Sequence, residues 1–273
     1  MVLRFFNSME NFMKMTTFLA LILLLASCGK SELSSTEILS SSIMSGTKID
    51  SRDELGKVTV GVTDADSTKI CTGSIISSNI ILTAAHCVEK QDAKKMRIVF
   101  GSKITDSKNT VKVEAVAVHK DYFHNTSVGN DLALIKIEGT VPSKYKVLDI
   151  ERSSLLTLEK GTPIQVAGFG KNKTGFFGGG AGTLRKGQVS LDQYSAEEKL
   201  LVLDQSNENG ICNGDSGGGA FVEVDGELVQ LGVNSYVPSK KKGSSTGDCK
   251  SKSYLTNIAF YLDWIQMTMA ELN

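Results

Sequence analysis

Short apolar or alternating runs separated by polar turns dominate the chain from residue 58 onward. Val58-Thr59-Val60-Gly61-Val62, Met96 to Phe100, Val111 to Val118, Leu132 to Ile137 and Leu228 to Val233 are β-branched or alternate apolar with polar positions. A period of two with β-branched enrichment reads as half-buried strand. No long amphipathic helical pattern precedes the last dozen residues, where Tyr261-Leu262-Asp263-Trp264-Ile265 opens one. Many short strands with a single terminal helix predict an all-β barrel architecture.

The amino-terminal pattern is different. Met13-Lys14-Met15 precedes an apolar run from Phe18 to Leu25 and then Leu25-Ala26-Ser27-Cys28. That run is shorter than the ~20 residues a bilayer span needs, and the basic start and small residues before the end of the run read as an export signal. Small residues before a cysteine resemble the bacterial lipoprotein signal, which implies acylation of Cys28. An ordinary cleaved signal is the alternative. Residues Gly29 to Ser42 are serine-rich and poor in apolar side chains, the composition of a flexible tether. The expected organisation is a signal peptide over 1–27, a tether or propeptide over 28–42 and a globular domain over 43–273. About 230 residues are enough for one large all-β domain or two small barrels sharing a core.

Thirty Lys+Arg balance thirty Asp+Glu. No net field therefore favours nucleic acid or an anionic membrane surface, and neither is an expected partner. The expected membrane contact is a lipid at Cys28 alone, and the expected state is a monomer. Five cysteines, Cys28, Cys71, Cys87, Cys212 and Cys249, become an even set once Cys28 is assigned to the signal. No His/Cys/Asp cluster has metal-ligand spacing, so neither a metal nor a cofactor is expected. Gly175 to Gly182 is glycine-rich but lacks the Lys-Ser/Thr of a phosphate loop and reads as a surface loop. Lys240-Lys241-Lys242 reads as a solvated face.

Three motifs carry candidate chemistry. They are Thr83-Ala84-Ala85-His86-Cys87, Asn130-Asp131-Leu132-Ala133-Leu134 and Gly214-Asp215-Ser216-Gly217-Gly218. A serine hydroxyl is a poor nucleophile until an imidazole takes its proton and a carboxylate orients that imidazole. Gly214 to Gly218 also satisfies the G-x-S-x-G elbow of α/β-hydrolases, where a histidine follows the serine. The histidines are His86, His119 and His124, so none follows Ser216. The order His86, Asp131, Ser216 resembles that of the trypsin/chymotrypsin-like serine proteases.

The resemblance extends through Cys71-Thr72-Gly73-Ser74-Ile75-Ile76, Ala115 to His119, Gly161-Thr162-Pro163-Ile164 to Ala167-Gly168-Phe169-Gly170 and the closing Tyr261 to Ile265. It implies two six-stranded antiparallel β-barrels with a cleft between them. It implies an endopeptidase acting on protein or peptide substrates, and the lipoprotein-type signal puts that activity, secreted or surface-anchored, at a bacterial envelope. His86 is then the general base, Asp131 its orienting carboxylate and Ser216 the nucleophile, with the N–H groups of Gly214 and Ser216 as oxyanion hole. It implies disulfides Cys71–Cys87 and Cys212–Cys249, and a hydrogen bond from Ser235 to the triad carboxylate.

At the position where trypsin-like enzymes carry a pocket aspartate stands Gly210, followed by Ile211; Val237 and Ser253 align with pocket glycines. The implied pocket is shallow and apolar and takes small apolar side chains, with Glu208 a nearby carboxylate. Ile43-Met44-Ser45-Gly46 resembles the mature amino terminus of these enzymes. The resemblance then implies a nearly inactive precursor, an activating protease that cuts after Ser42, and pairing of the new amine with Asp215. The rival reading is a lipid-anchored, non-catalytic binding protein on the same fold.

Overall fold

The computed structural model describes residues 43, 46–123, 129–172, 179–206, 210–238 and 249–273. These belong to one unit, 40–273. The expected signal peptide and tether lie outside the described residues. Among the described residues no helix is long and apolar enough to cross a membrane.

Six strands close the first barrel: β2 (Thr59–Asp64), β3 (Ile70–Ile75), β4 (Ile80–Thr83), β5 (Met96–Val99), β6 (Thr110–Val118) and β7 (Ala133–Ile137). Their order is β2-β3-β4-β7-β6-β5, with β5 returning to β2. The second barrel holds β8 (Pro163–Gly168), β9 (Arg185–Ser195), β10 (Leu200–Asp204), β11 (Gly219–Val224), β12 (Glu227–Tyr236) and β13 (Lys252–Asn257). Their order is β9-β10-β13-β12-β11-β8, and the β8–β9 pairing closes it. The short β1 (Thr47–Lys48) adds to β9 outside the barrel. Every pairing is antiparallel, as hairpin-length connections allow.

Alternation fills both interiors. Ile164 and Val166 of β8, Val189 and Leu191 of β9, and Leu201 and Leu203 of β10 point into one buried cluster with Leu231 and Leu255. The first barrel is filled by Val60, Val62, Ile75, Ile81, Ile98 and Ile135, in a cluster that continues into Phe169, Phe221 and Val233 of the second. The barrels therefore share a core. This two-barrel fold with a terminal helix, α3 (Leu262–Leu272), is the architecture expected from the sequence.

Two short helices break the strand pattern. In α1 (Glu54–Val58) the Asp53 side chain accepts from Leu55 N, a cap that converts Val58 from the start of a strand into the end of a helix. The four-residue α2 (Ala85–Val88) follows β4 and carries His86.

Candidate active site

Sheet register brings the first two groups together. Thr83 at the end of β4 pairs with Ala133 at the start of β7, so the chain just after Thr83 and just before Ala133 lies side by side. Asn130 turns through the left-handed region (φ 57°), held by Tyr261, whose hydroxyl accepts from Asn130 N and donates to its Oδ1. Asp131 then faces α2. His86 Nδ1 lies 2.8 Å from Asp131 Oδ2, and His86 N donates to Oδ1 at 3.0 Å.

The second barrel supplies a third contact. In the β12–β13 ladder Asn234 pairs with Leu255 and Tyr236 with Tyr254, which leaves Ser235 as the extra residue of a bulge. Bulges re-aim side chains. Here the Ser235 hydroxyl donates to Asp131 Oδ2 at 2.6 Å. Asp131 is 6% exposed. Burial alone would raise its pKa, but the hydrogen bonds from His86 and Ser235 and the His86 charge outweigh burial and hold it below the usual carboxylate range. An ionised carboxylate only accepts, so Nδ1 is the donor of that bond, and in the neutral imidazole the lone pair is on Nε2.

Ser216 is tied to the first barrel through β3. Thr72 N donates to Ser216 O at 2.8 Å. The buried Thr72 hydroxyl donates to Gly214 O at 2.9 Å and accepts from Phe169 N at 3.1 Å. Cys87 Sγ, bonded to Cys71 Sγ, lies 3.8 Å from His86 Nε2 and 3.6 Å from Ser216 O, so imidazole and serine are neighbours. The Ser216 hydroxyl makes no hydrogen bond among the described residues. Such bonds are often long without substrate and tighten in the complex.

Gly214 adopts φ +102°, a conformation that favours glycine. Asp215 N donates to Cys212 O, Gly217 N to Asn234 O and Gly218 N to Asp215 O. Gly214 N and Ser216 N have no acceptor among the described residues. Two adjacent free donors beside a serine can receive an oxyanion.

Asp215, next to Ser216, is fully buried. Its oxygens accept from Gly170 N (2.7 Å) and Cys212 N (2.9 Å), and its carbonyl accepts from Asn234 Nδ2 (3.0 Å). Burial pushes its pKa up to about 7, opposed by those two N–H bonds and by the Arg185 charge. Ile43 is fully buried in the second-barrel cluster with Ile211.

The pocket candidates divide. Ile211 and the partly buried Val237 pack on that same cluster, and Ser253 on β13 is fully buried with no hydroxyl partner among the described residues. Behind Gly210 lies Gln205, fully buried, whose Oε1 accepts from Ile211 N at 2.7 Å and whose Nε2 donates to Ile211 O at 3.3 Å. A Cβ at 210 would overlap the Gln205 side chain. Cys212 and Cys249 are bonded, their Cα atoms 5.2 Å apart. Glu208, Cys28, Lys240 to Lys242, His124 and the first half of the glycine-rich loop lie outside the described residues.

Cys71, His86 and Cys87 place three donor atoms together. Two of them are sulfurs bonded to each other, so they are not thiolate ligands and one imidazole remains. Sequence reasoning missed Thr72, Gln205 and Arg185. Thr72 stands in the quoted Cys-Thr-Gly run, but nothing local marks its hydroxyl as a partner of residue 214.

A family model described as Trypsin matches residues 44–265. Chymotrypsin-like elastase family member 1 of Homo sapiens is 28% identical over 218 residues, covering 73% of this chain and 81% of that protein. Its Macaca fascicularis counterpart is 27% identical over 217 residues, with 73% and 79% covered. Trypsin Tyr p 3.0101 of Tyrophagus putrescentiae is 29% identical over 225 residues, with 72% and 71% covered.

Proposed function

The chain belongs to the trypsin family, and from that premise we propose that it is a serine endopeptidase in which Ser216, His86 and Asp131 carry the reaction. The observation that carries this reading is the doubly bound Asp131 carboxylate, which fixes His86 with Nε2 free on the side of Ser216.

His86 Nε2 takes the Ser216 proton as Oγ attacks the scissile carbonyl carbon. Negative charge develops on the carbonyl oxygen and is received by the Gly214 and Ser216 N–H groups. The imidazolium, stabilised by Asp131, then protonates the leaving amine, which departs and leaves an acyl-Ser216. Water, deprotonated by the same imidazole, releases the acid and restores the serine.

We assign substrate preference to small apolar residues before the cleaved bond. Gly210 offers no carboxylate, Gln205 fills the space behind it, and Ile211 and Val237 are apolar. A Lys or Arg head group would be an unpaired cation there, at a cost of several kcal/mol. We further propose export through the 1–27 segment in a bacterial envelope, anchoring through acylated Cys28, and a cut after Ser42 by another protease. That cut frees the Ile43 amine to pair with Asp215 and severs the tether, so activity rises as the domain leaves the membrane.

Profiling of purified protein on a peptide library tests the specificity. Cleavage after Ala or Val is expected, and is expected to vanish in Ser216→Ala. A profile dominated by Arg or Lys would overturn the pocket assignment. No cleavage of any peptide would favour the non-catalytic binding protein.

A further inference from the structure

Arg185 is the one buried arginine among the described residues, with 4% of its surface exposed. Its Nη1 donates to Gly180 O at 2.7 Å and Thr183 O at 3.0 Å, and these are its hydrogen bonds among the described residues. A guanidinium carries five N–H donors, so a buried one calls for a carboxylate as well as carbonyls. Arg185 makes no direct ion pair among the described residues, but the sheet places a buried carboxylate close enough to feel its charge. Arg185 opens β9 directly opposite Gly168 of β8. Residues paired across antiparallel strands project from the same face with Cβ positions about 5 Å apart. Gly168 has no side chain, and the space on that face belongs to Asp215: a Cβ at 168 would overlap Asp215 Oδ1. Arg185 therefore emerges one strand away from the buried carboxylate, on the same face.

We propose that Arg185 is a positioning residue for the oxyanion loop, an internal counter-charge that keeps Asp215 ionised in the uncut chain. The proposal deepens the peptidase reading, because it takes Gly214 to Ser216 as the loop that receives the oxyanion. Only the ionised carboxylate accepts from Gly170 N and Cys212 N with both oxygens free. A protonated one commits an oxygen to its own O–H and loosens one of those ties. Burial has already carried Asp215 to about 7, and the Arg185 charge is what opposes further rise from outside its own hydrogen bonds. Arg185 gives the uncut chain a basal activity, to which the amine freed at Ile43 adds.

The test uses uncut chain, verified by intact mass, in parent, Arg185→Gln and Arg185→Lys forms. The first readout is the pH dependence of kcat on a peptide substrate. The second is urea stability against pH in a Ser216→Ala background, which needs no catalysis. A buried acid whose native pKa is raised loses stability as pH climbs from its unfolded value to its native one. Arg185→Gln is expected to extend that fall, and to move the acid limb of kcat, upward by about one unit or more. Arg185→Lys is expected to restore both.

Unchanged curves in a folded Arg185→Gln variant would overturn the proposal. So would a loss that lysine does not rescue, since that would make Arg185 only a tie for the Gly180 to Thr183 segment. If Arg185→Gln does not fold, the double variant with Asp215→Asn decides: recovery of folding supports the pair, and a double variant as unstable as the single contradicts it. If the uncut parent cleaves nothing at any pH while the chain cut after Ser42 is active, the basal activity assigned to Arg185 is overturned; if the cut chain is inactive as well, the peptidase reading fails and the stability curves alone decide on Arg185.

Discussion

Thr72→Val removes one oxygen and keeps the shape of a buried side chain. The Thr72 hydroxyl stands between Gly214 O and Phe169 N, at 2.9 and 3.1 Å, and threonine is fully buried there. Valine leaves both groups unpaired, and each buried orphan costs about 1–3 kcal/mol. The expected loss of stability is therefore about 2–4 kcal/mol, less than the sum of the maxima because the backbone relaxes.

The kinetic effect is separate. The peptide that carries Gly214 O is adjacent to the Gly214 N–H, so releasing the carbonyl lets the donor drift, and loss of one such donor costs about 10²–10³ in kcat. KM should change little, because the ground-state contacts are not made by this group. Urea denaturation and steady-state kinetics on one peptide measure both, and Thr72→Ser, which keeps the hydroxyl, should recover most of kcat. A Thr72→Val enzyme with parental kcat would refute the claim that this bond sets the oxyanion donor.

Two further predictions follow from the same contacts. Ser235→Ala removes one of the bonds that lower the Asp131 pKa, so the stability that Asp131 contributes above its unfolded value, and loses as pH falls through its native one, should shrink; acid denaturation followed by circular dichroism should start at higher pH in the variant. Replacing Cys71 and Cys87 together with alanine should cost about 2–4 kcal/mol in urea, and an unchanged midpoint would count against a structural role for the bond beside His86.

Local motifs made His86, Asp131 and Ser216 visible one at a time, because each sits in a run of residues whose types are constrained nearby. Their approach to one another depends on register. Thr83 meets Ala133 only because β4 and β7 pair, and Ser235 reaches Asp131 only because β12 bulges at that residue. The strand runs at 96–100, 111–118 and 228–233 were legible to within a few residues because alternation is a local property. Val58 was not, since the cap at Asp53 decides its state from outside the run.

Thr72, Gln205 and Arg185 carry no local signal at all. The Thr72 hydroxyl bond to Gly214 spans 142 residues of sequence. Arg185 is opposite a glycine, and its significance lies in a carboxylate that occupies the glycine's empty side.

Catalysis by this chain requires that Ser216 be an activated nucleophile. Incubation with a fluorophosphonate, followed by peptide mass spectrometry, measures it. A single adduct on the Ser216 peptide is predicted, absent in Ser216→Ala and slowed by about 10⁴-fold or more in His86→Ala, because the base and nucleophile act as one unit. No adduct on the folded chain cut after Ser42, or an equal adduct in His86→Ala, would contradict it.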